Sequence, residues 1–283
     1  MFGSELSSVS HFSALEKIYI NLLGSPSIIT ARRYLTFKYF ALAYFRKEKI
    51  CLKKILDFGC AYGGFGFFLA RKGRRSRVYL HDDSDRAKMC EEITRNGRYQ
   101  NVCVLDHDGY EREGNFSLIL AVHVLEHIRD DVECLRRLHA RLRDDGYLYI
   151  DVPRHTDRDL SSWEKHVGHV RTGYDRENLR NILKENGFAV IGEPRYSSRK
   201  EWSASLFFQH AYYSVFDRLD RKYPDFRNID ELSLSRRLAL AFLWPFYRAI
   251  MELDVVFHGV RGRSVVFLAQ KIPQRSFCHE IMH

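Results

Sequence analysis

The stretch Ile55-Leu56-Asp57-Phe58-Gly59-Cys60-Ala61-Tyr62-Gly63-Gly64-Phe65-Gly66 decides the fold. Its apolar start predicts a buried strand, which reaches an acid and passes through a glycine-rich turn into an apolar helix. Glycine is needed in such a turn because side chains would keep a ligand away from the backbone. The stretch therefore predicts a strand–loop–helix unit that binds a ligand at the carboxyl end of its strand.

Beyond this unit, short β-rich runs alternate with helical patterns, which is typical of βαβ units and a mostly parallel sheet. The helical patterns carry start and stop signals. We predict helices from Ser84 to Asn96-Gly97, from Val132 to Asp145-Gly146 and from Asp175 to Gly187. The predicted strands are Ile55–Phe58, Arg77–His81, Val102–Leu105, Ser117–Val122, Tyr147–Val152, Phe188–Glu193 and Ser264–Gln270.

Two segments lie outside this alternation. Residues 11–50 have helical patterns, with Ser25-Pro26 as a start signal, and residues 201–258 form an aromatic-rich, mainly helical insertion. We expect both to cover a substrate cleft, and a simple extension of the core is the alternative. The predicted domains are an N-terminal helical cap (1–50), a Rossmann-like core (51–200), a helical insertion or lid (201–260), and the last core strand with the tail (261–283).

Acidic residues follow the second and third predicted strands. Asp82, with Asp83 beside it, ends the second strand, where an acid accepts hydrogen bonds from ribose hydroxyls. Asp106 follows the third strand, where it can reach an adenine amine. A glycine loop of this kind is also found in proteins that bind a dinucleotide, so the loop alone does not identify the ligand. The acids and the segments after them have to do so.

Two later segments carry a family resemblance. They are Phe116-Ser117-Leu118-Ile119-Leu120-Ala121-Val122-His123-Val124-Leu125-Glu126-His127-Ile128 and Asp145-Gly146-Tyr147-Leu148-Tyr149-Ile150-Asp151-Val152-Pro153. Together with the glycine loop and the acid, this order closely resembles the class I S-adenosylmethionine-dependent methyltransferases, over about residues 54–195 and the last strand. The sequence departs from that pattern at Ala61, where a middle glycine is common, at Ser117, where aspartate is frequent, and at Asp145, which replaces a glycine.

The resemblance implies an α/β fold with a Rossmann-like, seven-stranded, doubly wound sheet. It also implies that S-adenosyl-L-methionine is the cofactor and that an enzyme of this class transfers its methyl group. The residues expected to line the cofactor site are Asp57, Gly59, Ala61, Gly63, Asp82, Asp83, Asp106 and Ala121.

Histidines follow the fourth and fifth predicted strands. Methyl transfer to a hydroxyl needs a group that aligns the acceptor and removes its proton, and histidine does this near neutral pH. His123, Glu126 and His127 are spaced so that they share one face of a helix. Because the ends of adjacent parallel strands open on the same cleft, we expect His127 to converge with His169. His127, His169 and His123 are therefore the candidate catalytic residues.

The segment around His169, from Trp163 to Tyr174, is similar to a "Gly-His…Arg…Tyr" element in a broad bacterial branch of the class whose members modify sugars, lipids, quinones and secondary metabolites. Small-RNA 2′-O-methyltransferases and ubiquinone-pathway O-methyltransferases carry a metal-holding Glu-x-x-Glu-His segment at the earlier position. That resemblance implies a divalent metal at His123, Glu126, His127 and His169, with His123 in place of the first glutamate. The default interpretation is a metal-free site with a histidine base.

Composition narrows the class of protein further. The 283 residues are 45% hydrophobic and 29% charged, as in a globular chain. The six cysteines form no CxxC pair, which favours free thiols in the cytoplasm. We expect no signal peptide at Met1–Ser10, and the longest apolar run, Leu238–Tyr247, is too short to span a membrane. The net charge of +9 suits peripheral contact with an anionic membrane.

These observations predict O-methylation of a small-molecule, lipid-linked or sugar hydroxyl in the cytoplasm. Two alternatives stay open. One is an RNA 2′-O-methyltransferase that uses a divalent metal, although the dispersed basic residues do not favour a nucleic-acid partner. The other is a catalytically inactive subunit that binds the cofactor and acts through interactions.

Overall fold

The structure is a computed structural model that describes residues 28–61, 63–73, 75–83, 86–97, 99–197, 245–246, 248–257, 260–261 and 264–273. The predicted helical pattern of residues 11–27 and most of the predicted insertion lie outside these residues. The predicted role of the insertion as a lid therefore stays a prediction.

The chain divides into two compact units, Met1–Tyr44 with Arg195–Arg261 and Phe45–Pro194 with Gly262–His283. In the first unit, helix α1 (Ile28–Phe37) continues through a π-helical turn, Lys38–Leu42. Residues 248–257 are also helical, and Asp254 forms an ion pair with Arg32 of α1 at 2.5 Å.

The second unit contains a seven-stranded sheet with the strand order β3-β2-β1-β4-β5-β9-β6. Strands β1 to β5 pair in parallel, whereas β9 runs antiparallel to both β5 and β6. A further two-stranded pair, β7 with β8, belongs to the first unit. The strands are β1 (Lys54–Phe58), β2 (Arg77–His81), β3 (Val102–Leu105), β4 (Phe116–Val122), β5 (Leu142–Pro153), β6 (Phe188–Gly192), β7 (Tyr196–Ser197), β8 (Val260–Arg261) and β9 (Ser264–Lys271).

Helices connect the parallel strands, and the predicted α/β fold class is confirmed. The central strands are apolar along their length because helices cover such a sheet on both faces; Leu56, Ile119 and Leu148 are completely buried. After α1, the helices are α2 (Ala43–Lys47), α3 (Gly64–Lys72), α4 (Arg86–Asn96), α5 (His107–Arg112), α6 (Asp131–Arg141), α7 (Ser162–His166) and α8 (Arg176–Glu185).

The strand order places a topological switch point at β1 and β4. The chain moves outward from β1 to β2 and β3, then returns to β4 on the other side of β1. Connections on the two sides leave in opposite directions, so a crevice opens at the carboxyl ends of β1 and β4. The candidate residues after β1, β2, β4 and β5 all belong to this end of the sheet.

The boundary between α6 and β5 differs from the predicted one. The helix ends at Arg141 rather than at Asp145-Gly146, and β5 begins at Leu142, whose backbone is already extended. Phe116 pairs with Leu142, after which the register of β4 and β5 shifts. Gly146 allows this irregularity, because a Cβ there would lie 2.8 Å from the Phe116 carbonyl oxygen. The glycine therefore marks a bulge within the strand, not the end of the helix.

Other predicted signals behave as expected. The Asp175 side chain caps α8 by accepting hydrogen bonds from the backbone of Glu177 and Asn178, and Gly187 has a left-handed backbone. The five described cysteines carry free thiols. Within the described ranges, no helix has the length and apolar character needed to cross a membrane.

Candidate active site

The glycine-rich loop connects the end of β1 to α3, and among its described residues Gly59, Ala61 and Gly63 have a left-handed backbone conformation. Gly59 is required by packing as well, because a Cβ there would lie 2.5 Å from a methyl carbon of Val124. Ala61 has a φ of 49°, which costs an L-residue energy. Its backbone N–H donates to Asp82 Oδ2 at 2.7 Å, so the second-strand acid helps to hold the loop.

Asp57 lies beneath the same loop and is almost completely buried. Its Oδ2 accepts the Gly66 N–H at 2.8 Å, which ties β1 to the first turn of α3. Burial raises the pKa of Asp57 to about 7; the negative charge of Asp82 adds to this, and the Gly66 N–H opposes it. Asp57 therefore organises the loop as a group that is partly protonated near neutral pH.

The other predicted cofactor residues have distinct surroundings. Asp83 is exposed, and its Oδ1 lies 3.2 Å from Nε2 of the buried His81. Asp106 caps α5, accepting the Gly109 N–H at 2.7 Å. Ala121 is completely buried beside Phe58, with which it pairs across β1 and β4.

Strand register brings the predicted acids into one row. Phe58, His81 and Leu105 stand side by side at the ends of β1, β2 and β3. Asp82 and Asp106 each follow directly after one of these residues. Asp82 and Asp106 therefore leave neighbouring strands at the same edge of the sheet, and their contacts with the ribose and adenine of a cofactor stay a prediction.

His123 occupies the first position after β4 and has a left-handed backbone, with a φ of 56°. Its imidazole lies between two buried carboxylates: Nδ1 is 2.9 Å from Glu126 Oε1, and Nε2 is 3.5 Å from Asp151 Oδ1. The spacing argument assumes an α-helix here, which is wrong: Leu125–His127 is a single 3-10 turn. Asp151 is a site residue that the sequence analysis missed. Its signal is the one acid in the predicted strand Tyr147–Val152, and that signal does not identify its partner.

His127 and His169 lie together, as their positions after neighbouring strands predict. Their ring centroids are 4.6 Å apart and their planes stand at 81°. The backbone sets this approach, since the Val170 N–H donates to the Glu126 carbonyl at 2.9 Å. One side-chain ligand atom from each of Glu126, His127 and His169 lies within 4.8 Å of the others.

The environment of His169 favours its neutral form. Burial lowers the pKa of His169, and the adjacent His127 lowers it further, while the carboxylates of Glu126 and Glu164 oppose the change. A neutral imidazole can accept a proton, so His169 has the chemistry of a general base. The other two histidines near this segment are exposed: His155 contacts Thr172 Oγ1 at 3.0 Å, and His166 ends α7.

The structure combines a Rossmann-like α/β sheet with a glycine-rich loop, two acids on neighbouring strands and a pair of histidines, all at the carboxyl end of the parallel strands. Residues 30–193 match the family model described as "Methyltransferase domain". The match covers more than half of the chain, and the chain belongs to this methyltransferase family. Residues 30–193 therefore form a methyltransferase domain.

One curated relative matches part of the chain. The (S)-coclaurine N-methyltransferase of Papaver somniferum is 29% identical over 106 residues, which are 35% of this chain and 29% of that enzyme. The chain thus matches less than a third of the length of this curated relative.

Two solved structures share the fold. A Galdieria sulphuraria protein assigned as a sarcosine dimethylglycine methyltransferase has a TM-score of 0.53 and 17% identity, over 86% of each chain. Phosphoethanolamine N-methyltransferase 2 of Haemonchus contortus has a TM-score of 0.51 and 18% identity, over 96% of this chain and 61% of that one. At these identities the likeness concerns the fold alone.

Replacing Asp82 by alanine is expected to weaken binding of S-adenosylhomocysteine by about 2–3 kcal/mol, because it removes the carboxylate predicted to accept hydrogen bonds from two ribose hydroxyls. The variant also removes the acceptor of the Ala61 N–H, so Asp82→Asn, which keeps a carbonyl oxygen there, should lose less. Titration calorimetry measures both variants. Asp145→Ala is the control, since Asp145 is exposed and pairs with Arg143 at the other end of β5. Unchanged affinity in Asp82→Ala, or comparable affinity of the wild type for NAD, would contradict the assignment.

Proposed function

We propose that the chain transfers the methyl group of S-adenosylmethionine to a hydroxyl of a small-molecule, lipid-linked or sugar acceptor, with His169 as the general base. The observation that carries this proposal is the His127–His169 pair at the switch-point end of the sheet. A pair of imidazoles beside a buried carboxylate can take a hydroxyl proton and stabilise the resulting charge.

The reaction is a single displacement. An oxygen lone pair of the acceptor attacks the methyl carbon as the hydroxyl proton passes to the neutral His169. The electron pair of the breaking C–S bond stays on sulfur, and S-adenosylhomocysteine leaves. The residues of this chain contribute alignment of the acceptor and a place for the proton.

The lipid-linked class of acceptor is supported by the net charge of +9, which favours peripheral contact with an anionic membrane. An amine is a second candidate acceptor, because two of the named relatives are N-methyltransferases. An amine with a neutral lone pair needs less help from a base, so the two acceptors differ in their dependence on His169.

A divalent metal is a second candidate for the chemistry of the site. Glu126, His127 and His169 offer one carboxylate and two imidazoles in a group small enough to hold an ion, which suits a first-row transition metal. Of the predicted set, His123 is not one of these three ligands, and its Nδ1 lies 2.9 Å from Glu126 Oε1. A bound ion would acidify a substrate hydroxyl. This arrangement would also serve the alternative of RNA 2′-O-methylation.

A screen with methyl-labelled S-adenosylmethionine tests the proposal against anionic lipid vesicles and against sugar, amine and RNA fractions. We expect label in a hydroxyl of the lipid or sugar fraction, and loss of that label in His169→Ala. Label only in RNA would support the RNA alternative, and an amine product that survives His169→Ala would support N-methylation. Cofactor binding without transfer to any fraction would support the inactive subunit.

The same screen separates the metal-free site from the metal site. In the metal-free site, transfer continues after treatment with a chelator and dialysis. In the metal site, it falls after chelation and returns when Mn²⁺ or Zn²⁺ is added. Glu126→Gln is the matching variant, because it removes the charge of the one carboxylate in the group while keeping its size.

A further inference from the structure

We propose that Arg171 is a positioning residue that, with Asp131 and Tyr174, fixes His127 and His169 in their relative orientation. This inference rests on the proposed function for its purpose, and on contacts within the second unit for its evidence. The hydrogen bonds of Arg171 go to Ile128, Arg129, Asp131 and Tyr174 and not to either histidine, so it acts through the backbone that carries them.

The Arg171 guanidinium reaches several acceptors on the segment that follows β4. Its Nη2 donates to the carbonyl oxygens of Ile128 and Arg129, both at 2.9 Å. Its Nη1 donates to the Asp131 carboxylate and to the Tyr174 hydroxyl, the latter at 2.8 Å. Because the fork of an arginine is rigid and planar, these bonds fix direction as well as distance.

Tyr174 closes the arrangement from the other side. Its hydroxyl lies 2.6 Å from Asp131 Oδ2 and 3.2 Å from the Leu125 carbonyl oxygen, and its side chain is buried. Burial and the hydrogen bond to Asp131 raise the pKa of Tyr174, so it stays a hydroxyl donor. Arg171 and Tyr174 thus hold the 3-10 turn Leu125–His127 at both of its ends. We call Arg171, Asp131 and Tyr174 the brace.

The turn needs external donors because the last carbonyls of a helix have no partner within it. A three-residue turn has little stability of its own. The loop after α7 pairs with the same turn, through the Val170 N–H and the Glu126 carbonyl at 2.9 Å. His169 and Arg171 flank Val170, so the brace and the histidine contact belong to one short stretch of backbone.

The charge balance also points to positioning rather than to substrate binding. The nearly buried Asp131 offsets the positive charge of Arg171, and four protein acceptors occupy the guanidinium. A residue that captures an anionic substrate would keep its donors directed at solvent. The brace instead directs them into the protein, where a loosened turn would move His127 against His169.

The test uses Arg171→Met and Arg171→Lys with S-adenosylhomocysteine as the probe. Arg171→Met should shift the imidazole NMR signals of His127 and His169 and leave the signal of His139, whose Nε2 contacts the Gly187 carbonyl oxygen, in place. Arg171→Lys, which keeps the charge but not the fork, should shift them less. Calorimetric affinity for S-adenosylhomocysteine should be unchanged, and turnover on the acceptor found by the screen should fall on the order of 10²-fold in Arg171→Met.

Arg176→Met is the matched control, since Arg176 forms a two-pronged pair with Glu193 on an exposed part of α8. Unmoved His127 and His169 signals in a folded Arg171→Met protein would overturn the inference, whatever the turnover. Where Arg171→Met does not fold, Arg171→Lys decides by the same signals. If the signals move but His169→Ala retains full turnover, the brace stands and the proposed base is wrong.

Discussion

Replacing His169 by alanine is expected to lower turnover by roughly 10²–10⁴-fold with little change in affinity for S-adenosylhomocysteine. The reason is the division of contacts in the site. The glycine loop and Asp82 hold each other through the Ala61 N–H, whereas His169 contacts His127 and the backbone of Glu164. Removal of the imidazole therefore takes away the proton acceptor without touching the loop.

The pH dependence of the wild-type rate provides a second measurement of the same prediction. A general base works only when it is deprotonated, so the rate should rise with pH and level off above the pKa of His169. Because burial and His127 lower this pKa from its usual 6.5, the rise should be centred below that value. His127→Ala removes one of the causes and should move the rise to higher pH. Retention of turnover in His169→Ala, or a rate that rises only in the alkaline range, would contradict the role of base.

His166→Ala is the control for this series, because His166 is exposed at the end of α7. It removes an imidazole from the same loop and should leave both the rate and its pH dependence unchanged. An equal loss in both variants would indicate a general disturbance of the loop instead of the loss of a base.

Between pH 5 and pH 8, the free energy of unfolding of the wild type is expected to fall by roughly 2–3 kcal/mol relative to that of Asp57→Asn. The pKa of Asp57 is about 7 in the folded chain, against a usual value of 3.8. The folded state therefore favours the protonated carboxyl. Its contribution to stability is present below about pH 4 and is lost as the pH rises through about 7, at 1.36 kcal/mol per unit.

Asparagine keeps an oxygen that can accept the Gly66 N–H, but it cannot ionise. Urea unfolding at pH 5 and pH 8 should show that Asp57→Asn gains stability relative to the wild type as the pH rises. Other groups titrate alike in both proteins and cancel in the comparison. The exposed Asp145 gives the control Asp145→Asn, which should follow the wild type. Parallel profiles for Asp57→Asn and the wild type would refute the buried, uncharged carboxyl.

The sequence was sufficient for the fold because its signals are local. Strands β2 and β3 have the predicted bounds, since each lies between clear turn residues and consists mainly of residues with high β-propensity, although β3, at the edge of the sheet, is buried only at Leu105. The predicted start of β5, Tyr147, was wrong because Asp145-Gly146 is typical of the end of a helix, whereas the strand begins at Leu142. Only the pairing of Phe116 with Leu142 shows that this glycine serves a strand irregularity.

The site could be predicted only in part. The convergence of His127 and His169 follows from strand adjacency, which is a topological property, and the pair lies as expected. The partners Asp151, Asp131 and Arg171 were missed or given no role, because their contacts join residues far apart in sequence. Arg171 donates a hydrogen bond to Asp131, which lies forty positions away in the sequence, and no periodic pattern predicts such a contact.

The strand order has a consequence for how such a chain diversifies. Of the acids predicted to bind the cofactor, Asp57 lies in β1, and Asp82 and Asp106 follow β2 and β3, whereas the histidines follow β4 and β5 on the other side of β1. If the histidines face the acceptor, as proposed, substitutions after β4 and β5 can change the acceptor while the residues proposed to bind the cofactor stay the same. Val124, whose methyl groups rest against Gly59, is where the two sides touch. A substitution at Val124 that changed acceptor specificity would therefore also disturb the glycine loop, so we expect specificity to change at other positions after β4 and β5.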